Sequence, residues 1–236
     1  MRMTRTYGTA YHLFTAFIAL WITAVIVAGL VLDIPRLNIL EASARNLYFH
    51  VPMWFALMGG MFVSAFYSAR LLAKGDLVYD VRAEQAALVA TAFGVLGLIT
   101  GMVWARFTWY VGTGKWWNFD PKQSMAAVQL LIYGAYFVLR SSIDQPRKRA
   151  RIAAVYNLFA VVTVPFLLYV LPRQMESLHP GGEGSPAFSQ TDLAPEMRMV
   201  FYPAVLGFLA LWWWIYTQRT RATVIERRLD GTLDAF

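Results

Sequence analysis

Two histidines and one aromatic-rich connector hold the residue types that could do chemistry in this chain. His50 lies in Tyr48-Phe49-His50-Val51-Pro52-Met53-Trp54, and His179 closes the stretch Met175-Glu176-Ser177-Leu178-His179. Between them runs a connector carrying Trp104, Phe107, Trp109, Trp116, Trp117 and Phe119, which ends at one carboxylate, Asp120. Rings at that density suit a flat, partly apolar ligand. Two neutral imidazoles reaching in from separate connectors could take both axial positions of a haem iron while Trp and Phe cover the porphyrin edge. Propionates would then need cations, and Arg45, Arg106, Lys115, Lys122 and Arg173 are in reach of the same connectors.

Each of these features also has a plainer reading. Trp and Tyr collect at the membrane boundary in any membrane protein, so the connector could be an interfacial belt. Gly112, Thr113 and Gly114 favour a binding surface instead, because they permit a tight turn that brings Trp109 and Trp116 together, which a belt does not need. Asp120-Pro121-Lys122-Gln123 reads as a helix start, with an N-cap acceptor, proline at the first helical position and Gln at the third. Capping and direct ligand contact are both open to Asp120. His50 could be an interfacial histidine bonded to a carbonyl, and His179 a solvated loop residue next to the mobile-loop composition Pro180-Gly-Gly-Glu-Gly-Ser-Pro186. His12 and the run Trp212-Trp213-Trp214 read as interfacial.

The elements that must position these residues are membrane helices. With 58% hydrophobic residues, 15% charged residues and a mean hydropathy of +0.46, the chain is not a soluble domain. Apolar runs of bilayer length predict an all-α, polytopic membrane protein with six transmembrane helices, at about 11–32, 48–72, 84–105, 123–140, 152–171 and 198–217. They form a single integral membrane domain over 1–236. Fourteen of the 21 Lys and Arg fall on the side shared by the termini and the second and fourth connectors, and the acidic residues divide evenly. The whole formal charge of +7 therefore sits on that side, which predicts both termini cytoplasmic. His50, the Trp-rich connector 104–122 and the loop 172–197 then face outward. Topology accounts for the pI of about 9.8, with some attraction to anionic membrane lipid, and nucleic acid is not called for. The first span is too long for a cleaved signal peptide and reads as a retained helix.

No cysteine is present, which excludes disulfides, thiolate metal sites and haem attachment through Cys-x-x-Cys-His. Neither a phosphate-binding loop nor a dinucleotide fingerprint occurs, so nucleotide chemistry is not expected.

Taken together, Trp116-Trp117-Asn118-Phe119-Asp120 with Gly112-Thr113 before it, Tyr48-Phe49-His50-Val51-Pro52, and Leu178-His179 resemble the haem-handling proteins of cytochrome c biogenesis that share a Trp-rich motif. Six spans fit the cytochrome c maturation protein C (CcmC) type over nearly the whole chain. The larger CcmF and CcsA types carry more spans and more histidines. The resemblance implies non-covalently bound haem b at the outer face of the cytoplasmic (inner) membrane. It implies His50 and His179 as axial ligands, and Trp116, Trp117 and Asp120 as the surface under the haem, to which the residue reading adds Phe119, Trp109 and Trp54. It further implies presentation of haem to a periplasmic chaperone, CcmE, which takes it covalently, with CcmA and CcmB driving release. Such a protein is not an enzyme, beyond assisting that covalent loading. Two departures stand out: Val111 and Phe119 occupy places where the family usually has Trp, and Asp120-Pro-Lys-Gln123 is closer to the CcsA pattern.

Two other functions are compatible with the residues alone. A transporter for haem or another small molecule would use polar or helix-breaking groups at mid-membrane depth, for which Gln129, Asn157 and Pro165 are the candidates. A structural membrane subunit with a quinone-like ligand, or none, would make the histidine pair coincidental.

Overall fold

Starts and stops written in the sequence recur at the helix ends. The computed structural model describes residues 8–34, 41–109, 115–179 and 193–233, and among these it is all-helical. The helices are α1 (Thr9–Val31), α2 (Leu47–Lys74), α3 (Leu77–Thr108), α4 (Pro121–Ser141), α5 (Pro146–Pro165) and α6 (Pro195–Leu229). Six segments built on them are long and apolar enough to cross a membrane. Pro121, Pro146 and Pro195 each open a helix, where the missing N–H costs nothing. Gly75, with φ of 73°, ends α2 in the left-handed conformation and turns the chain directly into α3. A short 3-10 turn, Glu41–Asn46, leads into α2. After Pro165, α5 loosens into a π turn and a 3-10 turn that end at Gln174.

Several helices run beyond the expected spans, and in two of them the extensions carry paired charges. The third span was expected from about 84. It starts at Leu77, capped by the Asp76 carboxylate on the Val78 N–H at 2.8 Å. The charges are accommodated because they are paired. Arg140 of α4 grips Asp80 through two hydrogen bonds, of 2.6 and 2.9 Å, and reaches Glu84 at 3.1 Å. Arg227 of α6 meets Asp80 at 3.4 Å and pairs with Glu84. Those partners draw α6 out to Leu229, beyond the expected end at 217. Arg82 lies over the Tyr67 and Tyr79 rings.

Inside a bilayer, helices gain little from burying apolar surface against one another, so close approach and hydrogen bonds decide packing. Small residues therefore line the central contact of α2 with α3. Gly60 lies so near α3 and α6 that a Cβ there would come within 2.6 Å of both Ala90 Cβ and the Trp212 ring. Polar groups in the core bond to each other. The Asn157 amide donates to Ser64 and Ser68 at 2.7 and 2.8 Å and accepts from the Tyr133 hydroxyl at 3.2 Å, while Ser64 donates to the Ala83 carbonyl at 2.7 Å. This knot joins α2, α3, α4 and α5. Gln129 accepts from Thr163 at 3.0 Å, and Pro165 shapes the end of α5. Of the polar features considered above for a transport path, Asn157 and the Gln129 side-chain oxygen thus join helices. Trp212, expected at the interface, is instead buried and stacked on Tyr216 with the ring planes 5° apart. Its neighbours fit the expectation better, since Trp213 is exposed.

Removing one partner of the buried Arg140–Asp80 pair should be far more costly than removing both. Arg140→Leu should lower unfolding free energy in detergent by about 3–5 kcal/mol. The double variant Asp80→Asn/Arg140→Leu should recover most of that loss, as read by thermal melts monitored through helical circular dichroism.

Candidate functional site

The site is assembled at the end of the bundle where α1, α3 and α5 finish and α2, α4 and α6 begin. Arg45 fastens that end by donating to the terminal α1 carbonyls of Gly29 and Leu32, at 3.0 and 2.6 Å.

Asp120 is the N-cap of α4, as the sequence predicts, with its Oδ1 accepting from the N–H groups of Lys122 and Gln123 at 3.0 and 3.4 Å. The same carboxylate does more. Its Oδ2 accepts from the Ser177 hydroxyl at 2.8 Å and the Leu178 N–H at 2.7 Å, and its Oδ1 lies 3.0 Å from Nδ1 of His179. The Ser177 hydroxyl in turn accepts from the His179 N–H at 3.1 Å. Burial alone would raise the Asp120 carboxyl, but the bonds from His179, Ser177 and Leu178 outweigh it and hold the group well below the usual carboxylate range. An ionised carboxylate only accepts, so the proton shared with His179 belongs to Nδ1, and in the neutral ring the Nε2 lone pair is left over.

The His179 ring rests against indoles. Trp109 meets it edge to face at 5.0 Å between centroids, Trp104 lies at 6.2 Å, and the two Trp contact each other at 5.8 Å. Trp104 belongs to the last turns of α3 and not to the connector, which narrows the expected 104–122 segment.

His50 occupies the first turn of α2 and packs on the same helix α3. Its Nδ1 lies 3.2 Å from the Thr100 hydroxyl, and Trp54 donates its indole N–H to Nε2 at 3.3 Å. A Cβ on Gly101 would come within 2.7 Å of the His50 ring, and one on Gly97 within 3.0 Å of the Trp54 ring. Both histidines pack on α3, His50 at Thr100 and His179 against Trp104. One face of α3, Gly97-Thr100-Gly101-Trp104, therefore seats Trp54, His50 and His179 in order.

The described part of the Trp-rich motif, residues 115–120, is an irregular segment leading into α4. Trp116 and Phe119 are 51% and 81% exposed. Phe119 holds a φ of 54°, which bulky side chains rarely adopt, and its ring meets Trp117 edge to face at 6.4 Å. Arg106 lies over the Trp116 ring at 5.9 Å. Gln123 departs from the capping-box expectation. Its buried amide accepts from the Asn118 N–H at 3.2 Å and donates to the Trp116 carbonyl at 3.2 Å, clamping the motif to the head of α4. The structure thus brings together His50, Trp54, Trp109, Asp120 and His179, and sets Trp116, Trp117 and Phe119 on the clamped strip beside them. The Gly112-Thr113-Gly114 turn and the 180–186 run lie outside the described residues. The roles of Thr100, Gly101, Ser177 and Gln123 were missed in the sequence, though the spacing Gly97-x-x-Thr100-Gly101-x-x-Trp104 marks one helical face.

A family model described as heme exporter protein C matches residues 1–233. The chain belongs to the heme exporter protein C family. It is 26% identical to heme exporter protein C of Paracoccus denitrificans over 192 residues, covering 81% of this chain and 78% of that protein. The corresponding protein of Bradyrhizobium diazoefficiens is 27% identical, over 80% of this chain and 69% of its own length. A shorter similarity, 42% over 66 residues, links this heme exporter protein C family member to the cytochrome c biogenesis protein CcsA of Prochlorococcus marinus, of which it covers 20%.

Because the Asp120 carboxyl is held down in the folded state, its stabilisation is complete above the ordinary carboxylate range and is lost only as pH falls through the lower folded value. Melts from neutral to strongly acidic pH should therefore show an acid decline that Asp120→Asn lacks. Asp120→Ala, which also removes the cap, should lower stability at neutral pH by about 1–2 kcal/mol.

Proposed function

We propose that this protein holds haem b non-covalently between His50 and His179 and presents it for transfer during cytochrome c biogenesis. The observation that carries this reading is the pair of imidazoles seated on one face of α3, each tied through Nδ1, which leaves Nε2 as the ligating nitrogen of each neutral ring. The donor set fits haem. Among the described residues no group of three or more His, Asp or Glu could hold a bare metal ion. Two imidazoles suffice only for an iron whose other positions are already filled, as in a porphyrin. The cradle is apolar, from Trp54, Trp104 and Trp109, and Gly101 leaves the ring space that a Cβ would take.

Haem, when bound, supplies a hexacoordinate iron and a flat apolar macrocycle. The protein's part is to set the imidazole tautomers, cover one porphyrin edge with indole, and offer Trp116, Trp117 and Phe119 as an exposed aromatic strip toward a recipient. Among the cations on this side, Arg45 bonds the α1 carbonyls, Arg173 lies over Tyr169 at 3.5 Å and Arg106 over Trp116 at 5.9 Å, and the propionates would draw on this set with Lys115 and Lys122. The charge distribution supports an outward, periplasmic site in the inner membrane with both termini cytoplasmic. Family membership supports CcmE as recipient and CcmA with CcmB as the release machinery. The chain presents and hands over; it need not catalyse the covalent step.

Purified protein should show a bis-imidazole haem spectrum that is lost in both His50→Ala and His179→Ala. Retention of the native spectrum and haem content in both variants would sink the assignment. Orientation can be read separately, because the chain has no cysteine of its own. An impermeant maleimide applied to intact spheroplasts should label Phe119→Cys and spare Ser142→Cys at the opposite end.

A further inference from the structure

His50 and His179 are held in unlike ways, and the difference orders the steps of haem release; this inference rests on the ligand reading above. The Thr100 hydroxyl lies 2.9 Å from the Gly97 carbonyl and 3.0 Å from that of Leu96, so its proton is used there. Its oxygen therefore accepts, and His50 Nδ1 donates. An indole N–H can only donate, which makes Nε2 of His50 the acceptor for Trp54. Both bonds select one neutral tautomer, and the lone pair that iron would need is the one Trp54 occupies.

We propose that Trp54 is a positioning residue that makes His50 the exchangeable axial ligand, while Asp120 makes His179 the retained one. Nε2 has one lone pair, so coordination to iron and the bond from Trp54 exclude each other. When the Fe–Nε2 bond to His50 breaks, that lone pair returns to the Trp54 N–H and the vacated position passes to an incoming nitrogen donor. No electron moves. Trp54 is i+4 from His50 on α2, so the indole stays beside the ring through the exchange. His179 is held from its other nitrogen: its Nδ1–H is on a buried carboxylate, which strengthens Nε2 as a ligand. The groups behind His50, the Thr100 hydroxyl and the Gly97 backbone, are neutral and do so less. The incoming donor thus enters on the His50 side.

The test uses full-length, haem-loaded protein in detergent with excess apomyoglobin as the haem acceptor. Trp54→Phe keeps a ring in the cradle and removes the donor, so it should slow haem loss by about 2- to 10-fold, the worth of one hydrogen bond, while a bis-imidazole spectrum reports that both histidines still bind. General damage to the fold would speed haem loss, so slowing is diagnostic. Thr100→Val should do the reverse, speeding loss and raising the midpoint potential, because the imidazole behind the iron becomes a weaker donor. Haem loss from Trp54→Phe at the native rate or faster, with the bis-imidazole spectrum intact, overturns the proposal. If native protein shows no bis-imidazole spectrum, the ligand reading itself falls and the proposal with it, a result the absorbance separates from the first.

Discussion

The end of the bundle that bears the histidines depends on one buried carboxylate. Asp120 closes α4 as its N-cap, and with its remaining lone pairs it gathers the Ser177–His179 segment that follows α5. A charged group with so little exposure is tolerated only because every direction around it holds a donor. The same saturation fixes where His179 points and which of its nitrogens keeps the proton. A cap and a ligand-orienting partner are usually different residues; here the short distance between the head of α4 and the tail of α5 lets one side chain be both.

The second organising element is the face of α3 formed by Gly97, Thr100, Gly101 and Trp104. A helix rises about 1.5 Å per residue, so Thr100 and Trp104 stand about 6 Å apart along the axis, one behind His50 and the other against His179. Glycine at 97 and 101 lets the rings of α2 lie almost on the α3 backbone. This face converts a helix pair that packs for reasons of membrane stability into a frame for two imidazoles. Close approach through small residues thereby serves both ends.

At the far end, charge is handled in the opposite manner. Asp80, Glu84, Arg140 and Arg227 neutralise one another across α3, α4 and α6, with the Arg140–Asp80 side chains buried. In the middle, Asn157, Ser64, Ser68 and Tyr133 form a closed set of hydrogen bonds. These polar groups join helices, whereas at the histidine end the imidazoles are held by Asp120, Thr100 and Trp54.

Much of this was legible in the chain alone. Bilayer-length apolar runs give six helices, because backbone groups in lipid must be satisfied within each segment. Asp-Pro-x-Gln marks the head of α4, since capping is local chemistry. The histidine and Trp motifs mark the ligand type, since side-chain chemistry travels with residue identity. The extension of α3 back through Asp80 was not legible, because the partners of Asp80 and Glu84 lie 60 and 143 residues away. In the same way, only the folded chain decides that Asp120 meets His179, that Thr100 backs His50, that Trp54 faces Nε2, and that Trp104 joins the site while Trp116 stays exposed. Local pattern sets the elements and the available chemistry; tautomer, partner and burial are properties of contacts between distant segments, which one-dimensional spacing does not encode.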